Sequence, residues 1–292
     1  MIQGLDHGLP WTANTTAWFV GIPVAFIALC GLFKQLNAFP GVARRGTDLN
    51  VIMAFEIVAG FCVVWVALAG CYLFFNINNN GIYAQLDSGD NRVYNSHDFV
   101  QDQLAIPMMF FQGWNLLLCF IISDLRDITM IIHHFLVTIL AYMGCFPYIH
   151  LEASFFFGVA ELTNIPLTII DVFKYLPGLK KNYPAVNEAM RSIFAVLFII
   201  LRLIMWPLQC WNFWMSSGVL IAKHFQLSAM EATLTQFLSY KITVMPHSIF
   251  AVMFFVIANL MLTALQFYWG ITIFGFLFVK KDKGDGKTVK KE

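Results

Sequence analysis

Seven long apolar stretches constrain this chain more than any other feature of its sequence. Each is long enough for an α-helix to cross the hydrocarbon core of a bilayer, which takes roughly 20 residues. The stretches cover residues 17–36, 51–75, 104–123, 128–149, 152–171, 189–214 and 246–279. Hydrophobic residues make up 59% of the chain and charged residues 12%, which excludes an ordinary soluble domain. The sequence therefore predicts an all-α membrane protein with about seven transmembrane helices.

The sixth and seventh stretches are less regular than the others. Pro207 interrupts the sixth, and a weaker apolar piece at 216–225 follows it, while the seventh is longer than one crossing needs. We divide the chain into an N-terminal segment with the first transmembrane helix (1–50), a transmembrane domain (51–280) and a basic C-terminal tail (281–292).

The Lys and Arg residues fall unevenly on the two sides of the membrane. With seven spans, thirteen of the 18 lie in the first, third and fifth connections and at the C-terminal end, and three lie on the opposite side. The positive-inside rule then places the N-terminus outside or in a lumen, and the tail inside. The polar loop at 76–103 faces the lumen in this orientation. We expect the protein in the endoplasmic reticulum, and the mitochondrial inner membrane or another organelle membrane is the alternative.

Polar residues recur at helical spacing within five of the stretches. They are costly in hydrocarbon unless they face the protein interior, and a spacing of three or four residues puts them on one helix face. We therefore predict an elongated central cavity that holds lipid. Its expected lining is Gln112, Asn115, Asp127, His134, Thr138, Glu161, Asn164, Arg202 and Gln266. The alternative is that the amides and hydroxyls only join one helix to another by hydrogen bonds.

Two adjacent histidines, His133 and His134, are candidate catalytic residues together with Glu161. Neighbouring residues on a helix point about 100° apart, so the two imidazoles cannot ligate one metal ion. We predict no metal and no cofactor, only bound lipid. His134 shares a helix face with Asp127 and Thr138, so we expect it to point inward as a proton carrier or general base. A histidine that only hydrogen-bonds its neighbours would give the same pattern.

Arg202 is the most deeply placed cation in the chain, and it needs a partner because an isolated charge in hydrocarbon is costly. Helical rise places Glu161 at a similar depth, with each residue roughly 15 Å from the outer face. We therefore predict an ion pair between Arg202 and Glu161. Backbone carbonyls or the amides of Gln112 and Gln266 are expected to complete it.

The run DITMIIHHFLVT (127–138) resembles the signature of the TLC family. That multi-pass fold is shared by ceramide synthases, translocating-chain-associated membrane proteins and small lipid-related proteins. The segments AELTNIPLTIIDVFKYL (160–176), FIILRLIMWPL (198–208) and LQFYWGITI (265–273) follow in the order found in the smaller TLC-domain proteins. The resemblance covers about 51–280. It implies a barrel-like bundle of six helices whose interior admits an acyl chain or lipid, with one additional N-terminal helix.

The same resemblance argues against the family's best-known enzyme activity. Ceramide synthases follow the double histidine with a His-Asp pair and a further Asp in the next helix. Here the next helix carries Glu161 and Asn164 instead. We favour a protein that binds or handles membrane lipid in its cavity without a clear catalytic signature. The alternatives are an accessory subunit in a complex with other membrane proteins and a ceramide-synthase-like acyltransferase. No nucleic-acid partner is expected.

Overall fold

A computed structural model describes residues 12–79, 90–94, 97–231 and 249–279, which contain seven long helices. They are α1 (Ala13–Leu36), α2 (Leu49–Asn79), α3 (Asp98–Ile121), α4 (Ile128–Met143), α5 (His150–Tyr175), α6 (Pro184–Glu231) and α7 (Ile249–Val279). Two short helices, Asp90–Val93 and Pro177–Asn182, lie in the connections. No β-strand occurs in these four ranges.

Six of the seven helices are long and apolar enough to cross a membrane, which confirms the prediction of an all-α membrane protein. The exception is α4, whose 16 residues span about 24 Å at 1.5 Å per residue. The predicted fourth stretch ran on to Ile149, and this part was wrong. Pro147 has no backbone N–H to continue the helix and disfavours helical backbone at the residue before it, and Ile149 adopts a left-handed conformation with φ 53°.

Pro207 does not interrupt the sixth span, contrary to the prediction. α6 is continuous from Pro184 to Glu231, so the weaker apolar piece at 216–225 belongs to it. A π-helical segment, Phe198–Met205, lies just before the proline, and its wider turn accommodates a residue that cannot donate a backbone hydrogen bond. At 1.5 Å per residue α6 is about 72 Å long, more than twice the thickness of the hydrocarbon core.

Helices α2 to α7 form a closed ring. Around this ring α2 packs against α3, α3 against α4, α4 against α7, α7 against α6, α6 against α5, and α5 against α2. α1 packs outside, against α2 and α3. The ring centroids of Trp18 and Trp65 lie 5.7 Å apart, and those of Phe26 and Trp114 lie 5.5 Å apart. This arrangement confirms a six-helix bundle with one additional N-terminal helix.

The first, third and fifth connections lie at the same end of the bundle, which we call the basic end. Arg45 Nη1 donates hydrogen bonds to the carbonyls of Ser123 (2.9 Å) and Arg126 (2.7 Å), and the backbone N–H of Arg45 donates to Asp124 Oδ1 (2.9 Å). Tyr175 packs against the apolar cluster that joins α2 to α3 at this end. Which side of the membrane the basic end occupies stays a prediction, and the C-terminal tail lies outside the described residues.

Candidate functional site

α5 changes its helix type twice before it reaches Glu161. A π-helical segment, Ser154–Gly158, is followed by a 3-10 segment, Val159–Thr163. Gly158 lies at the junction with φ −121° and ψ −84°. On α2, Gly70 packs against it so closely that a Cβ on Gly70 would lie 2.2 Å from the Gly158 Cα. The two glycines let the helix backbones touch, and the change of pitch in α5 alters which of its residues face the interior of the ring.

Glu161 and Arg202 form the ion pair that the sequence predicts. Arg202 Nη2 lies 3.3 Å from Glu161 Oε1, and only 6% of the Arg202 side chain and 5% of the Glu161 side chain are exposed. Arg202 Nε also donates to Thr163 Oγ1 (3.3 Å), and Asn164 Nδ2 donates to Glu161 Oε2 (2.6 Å). The Arg202 guanidinium lies 5.4 Å from the centre of the Trp206 ring. The prediction of the pair is confirmed, but Thr163 and Asn164 complete it in place of the expected glutamines.

The two histidines face different surroundings, as expected for neighbours on one helix. His134 Nδ1 is hydrogen-bonded to Gln112 Oε1 on α3 at 2.5 Å, and both side chains are buried. His133 packs against Trp269 of α7, with ring centroids 5.4 Å apart. The His133 Nδ1 atom is shielded from solvent and has no hydrogen-bond partner among the described residues. His134 therefore joins two helices, whereas His133 retains an unused polar atom.

A cleft opens inside the ring between α4, α5, α6 and α7. Its polar lining residues are His133, Glu152, Glu161, Arg202 and Asn259, and its apolar ones are Val137, Leu140, Ile149, Phe156, Phe157, Trp206, Phe213, Phe255 and Leu262. The cleft measures about 530 Å³ when all space between atoms and its open mouth are included. Its cavity volume, the space that the centre of a water molecule can occupy, is about 40 Å³, enough for a few water molecules. Along α6 it extends from Arg202 to Phe213, or about 16 Å at 1.5 Å per residue.

Both ends of this cleft carry paired charges. His133, Glu161 and Arg202 lie at the end nearer the basic end of the bundle, and we call them the ion-pair end of the cleft. Glu152 lies toward the other end, where Arg92 Nε donates to Glu152 Oε1 at 3.0 Å. Aromatic and aliphatic side chains form the walls between the two ends. The cleft is therefore an apolar passage between two polar ends.

Only Glu161 and Arg202 of the nine expected lining residues lie along this cleft. The structure places His133 there instead of His134, because His134 turns toward α3. Thr138 donates to the backbone carbonyl of its own helix at His134 (2.6 Å), and Asn164 is held by Glu161. Asn115 and Gln266 are also buried. In the described part of the chain, Asn115 Oδ1 and both side-chain amide atoms of Gln266 have no hydrogen-bond partner.

Asp127 has a different role from the expected one, because it caps the N-terminus of α4 at the basic end. Its side chain accepts hydrogen bonds from the backbone N–H groups of Thr129 (2.9 Å) and Met130 (3.3 Å) and from the Thr129 hydroxyl. The hydrogen bond from the Thr129 side chain is the main reason why the pKa of Asp127 is lowered. A carboxylate that caps a helix at the protein surface does not face the interior.

The polar stripe of α7 supports the alternative of hydrogen bonds between helices. Trp206 Nε1 donates to Thr263 Oγ1 (3.0 Å), and Trp214 Nε1 donates to Asn259 Oδ1 (2.9 Å). These two bonds join α6 to α7. Several polar residues inside this bundle therefore join helices, and Asn259 both joins α6 to α7 and lines the cleft.

Sequence reasoning missed the part that Glu152 plays. It begins the fifth apolar stretch, and nothing in its spacing relates it to Arg92, which lies 60 positions earlier. The pair could have been predicted from one observation. Arg92 is the single Lys or Arg of the polar loop, and Glu152 is a carboxylate at the same end of the bundle.

Comparison with known proteins gives one match, to a family. The sequence model of the TLC domain, described for the TRAM, LAG1 and CLN8 proteins, matches residues 53–275. This range spans the six helices of the ring apart from the first residues of α2 and the last residues of α7. Searches against curated proteins and against solved structures find no match.

Proposed function

The chain belongs to the TLC-domain family, and we propose that it binds the chain of a membrane lipid in the cleft between α4, α5, α6 and α7. The observation that carries this proposal is the cleft itself, which has apolar walls, polar ends and an elongated shape parallel to the helices. Lipid chains are the abundant apolar molecules around such a bundle. The cavity volume of about 40 Å³ means that side chains must move apart for a lipid chain to bind.

We propose binding as the primary activity because most of the polar groups near the cleft are already engaged. Both carboxylate oxygens of Glu161 accept hydrogen bonds, from Arg202 and from Asn164, and His134 is held by Gln112. Each of these contacts is made to another helix or to a neighbouring side chain and fixes the position of the group. These contacts favour a role in shaping the cleft.

A bulky residue within the cleft tests the proposal. Leu262 lines the cleft and is 4% exposed, whereas Leu260 on the same helix is 48% exposed on the outer surface. We expect Leu262→Trp to lose lipid that copurifies with the wild-type protein in native mass spectrometry, and Leu260→Trp to keep it. Leu140→Phe is a milder second filling of the same space. Equal lipid retention in all three variants would contradict the proposed site. The same spectra would reveal protein subunits, as expected of an accessory subunit.

A second candidate function is acyl transfer, which one observation favours. His133 lines the cleft beside Glu161 and Arg202, and its Nδ1 atom has no partner in the part of the chain that the structure describes, so a bound acyl group would meet an imidazole. Incubation of the purified protein with an acyl-CoA and a sphingoid base tests this function. Acyl transfer that is abolished in His133→Ala would establish it. Lipid binding without any transfer would leave binding as the function.

A further inference from the structure

The charged residues along the cleft are balanced in pairs. Among the described residues that line it, Glu152, Glu161 and Arg202 carry charge, and each lies within 3.3 Å of an opposite charge. Glu152 is paired with Arg92, and Glu161 is paired with Arg202. The ion-pair end of the cleft therefore has no net charge to offer an ionic ligand.

From this balance we propose that the cleft selects an uncharged lipid with a single chain, such as a fatty alcohol or an acyl ester or amide, with its polar group at the ion-pair end. The inference rests on the proposed function and names the class of ligand. A ligand carboxylate at the ion-pair end would be attracted by Arg202 but repelled by Glu161. A ligand ammonium group would be attracted by Glu161 but repelled by Arg202. In either case the added charge would be buried without a partner, which is costly in a low-dielectric site.

His133 supplies the polar contact that such a ligand needs. It lines the cleft at the ion-pair end, and its Nδ1 atom is shielded and has no hydrogen-bond partner among the described residues. A buried polar atom without a partner is uncommon in a folded protein. A hydroxyl can donate to this nitrogen or accept from it, depending on the tautomer, and an ester or amide carbonyl can accept. An uncharged polar group therefore satisfies this nitrogen without disturbing the ion pair.

The size of the cleft restricts the ligand to one chain. The cavity volume of about 40 Å³ is far below the 300–1,000 Å³ of pockets that hold drug-sized ligands, so side chains must move apart to admit even one chain. Phe156, Phe157 and Phe255 line the walls between its two ends. A phospholipid with two chains and a charged head group does not match either the width or the charge balance.

Competition among lipids with the same chain tests the inference. The full-length protein in nanodiscs is photolabelled with a diazirine fatty alcohol, and the labelled peptides are identified by mass spectrometry. Dodecanol, dodecanoate and dodecylamine then compete, at a pH well above the carboxyl pKa and below the amine pKa. We expect labelling on cleft-lining residues, and we expect dodecanol to compete at least about tenfold better than either ion, equivalent to 1.4 kcal/mol. Equal competition by dodecanoate would overturn the inference while leaving lipid binding intact.

Charge variants provide a sharper test of the same point. In Glu161→Gln the guanidinium of Arg202 loses its counter-ion, so we expect dodecanoate to become the better competitor. In Arg202→Gln the carboxylate of Glu161 is unpaired, so dodecylamine should gain. Glu188→Gln is the control, because Glu188 forms an exposed pair with Arg191 on the same helix, and its ranking should match the wild type. If the three competitors rank in Glu161→Gln as they do in the wild type, the inference is overturned. If a variant fails to fold, the ranking of the competitors on the wild-type protein decides the inference.

Labelling that never reaches the cleft has a separate meaning. If the diazirine probe marks only outward-facing residues such as Leu260, the proposed lipid site itself is wrong, and the inference about ligand charge falls with it. If the probe marks the cleft but all three competitors act alike, only the inference falls. The two failures are therefore distinguishable in one experiment.

Discussion

Removal of either partner from the buried Glu161–Arg202 pair is expected to destabilise the protein strongly. At 3.3 Å and an effective dielectric constant of about 20, the Coulomb attraction is about 5 kcal/mol before desolvation is subtracted. Desolvation can cancel most of that gain, so the pair need not stabilise the fold relative to an apolar pair. A single substitution leaves one buried charge without its partner, and such changes cost about 3–5 kcal/mol. We expect Glu161→Ala and Arg202→Ala each to lose about this much.

A double-mutant cycle separates the pair from the other contacts of its members. In the double variant neither charge remains, so its loss should be smaller than the sum of the two single losses by about 1 kcal/mol or more. The assay is thermal unfolding of the detergent-solubilised protein, followed by tryptophan fluorescence. Glu188 and Arg191 form the control pair, with N and O 3.9 Å apart and side chains 69% and 47% exposed, where each change should stay within about 0.5 kcal/mol. If the stability losses of Glu161→Ala and Arg202→Ala add up in the double variant, the two charges are not coupled. Glu161 would then be available for a chemical role beside His133.

Three further predictions concern the packing, the helix cap and the topology. Gly70→Ala should destabilise the protein by at least about 1–3 kcal/mol because backbone fills the space of the new Cβ, whereas Gly31→Ala, with open space around it, should be neutral or stabilising in the same unfolding assay. Asp127→Ala should cost about 1 kcal/mol at neutral pH. Folding lowers the pKa of Asp127, so the stability that the cap contributes is present above the unfolded-state pKa near 3.9 and is lost as pH falls through the folded-state pKa. A stability difference between the wild type and Asp127→Ala that persists below both pKa values would contradict this prediction. Single cysteines in the tail and in the fifth connection should react with an impermeant thiol reagent from one side, and cysteines in the polar loop from the other; labelling of the tail and the polar loop from the same side would exclude seven spans.

Much of the architecture could be predicted from the sequence because the bilayer restricts the choices. A run of about 20 apolar residues has to satisfy its backbone hydrogen bonds internally, so it forms a helix in hydrocarbon whatever its neighbours do. The positions of seven helices follow from this rule. The pairing of Glu161 with Arg202 also followed, since depth along each helix can be counted from the sequence and a deep charge needs a partner.

The rotation of each helix about its axis could not be predicted. Regular 3.6-residue periodicity gave the faces of α4 and α5, yet α5 contains π and 3-10 turns around Gly158 that change the direction of every later side chain. The close contact between Gly70 and Gly158 is made by residues far apart in sequence, so no local sequence pattern predicts it. The predicted lining also lacked Glu152 and Asn259, which line the cleft, and it included Asn164 together with Glu161, whereas Asn164 does not line the cleft and donates to Glu161.

By itself, the sequence determined the class of protein, the number of helices and the need for a partner at Arg202, because these follow from the cost of polar groups in hydrocarbon. Only the tertiary structure decided which histidine lines the cleft. His133 and His134 are adjacent and chemically identical, and a rotation of α4 by about 100° would exchange them. The packing of α4 between α3 and α7 sets that rotation, with Gln112 holding one ring and Trp269 contacting the other.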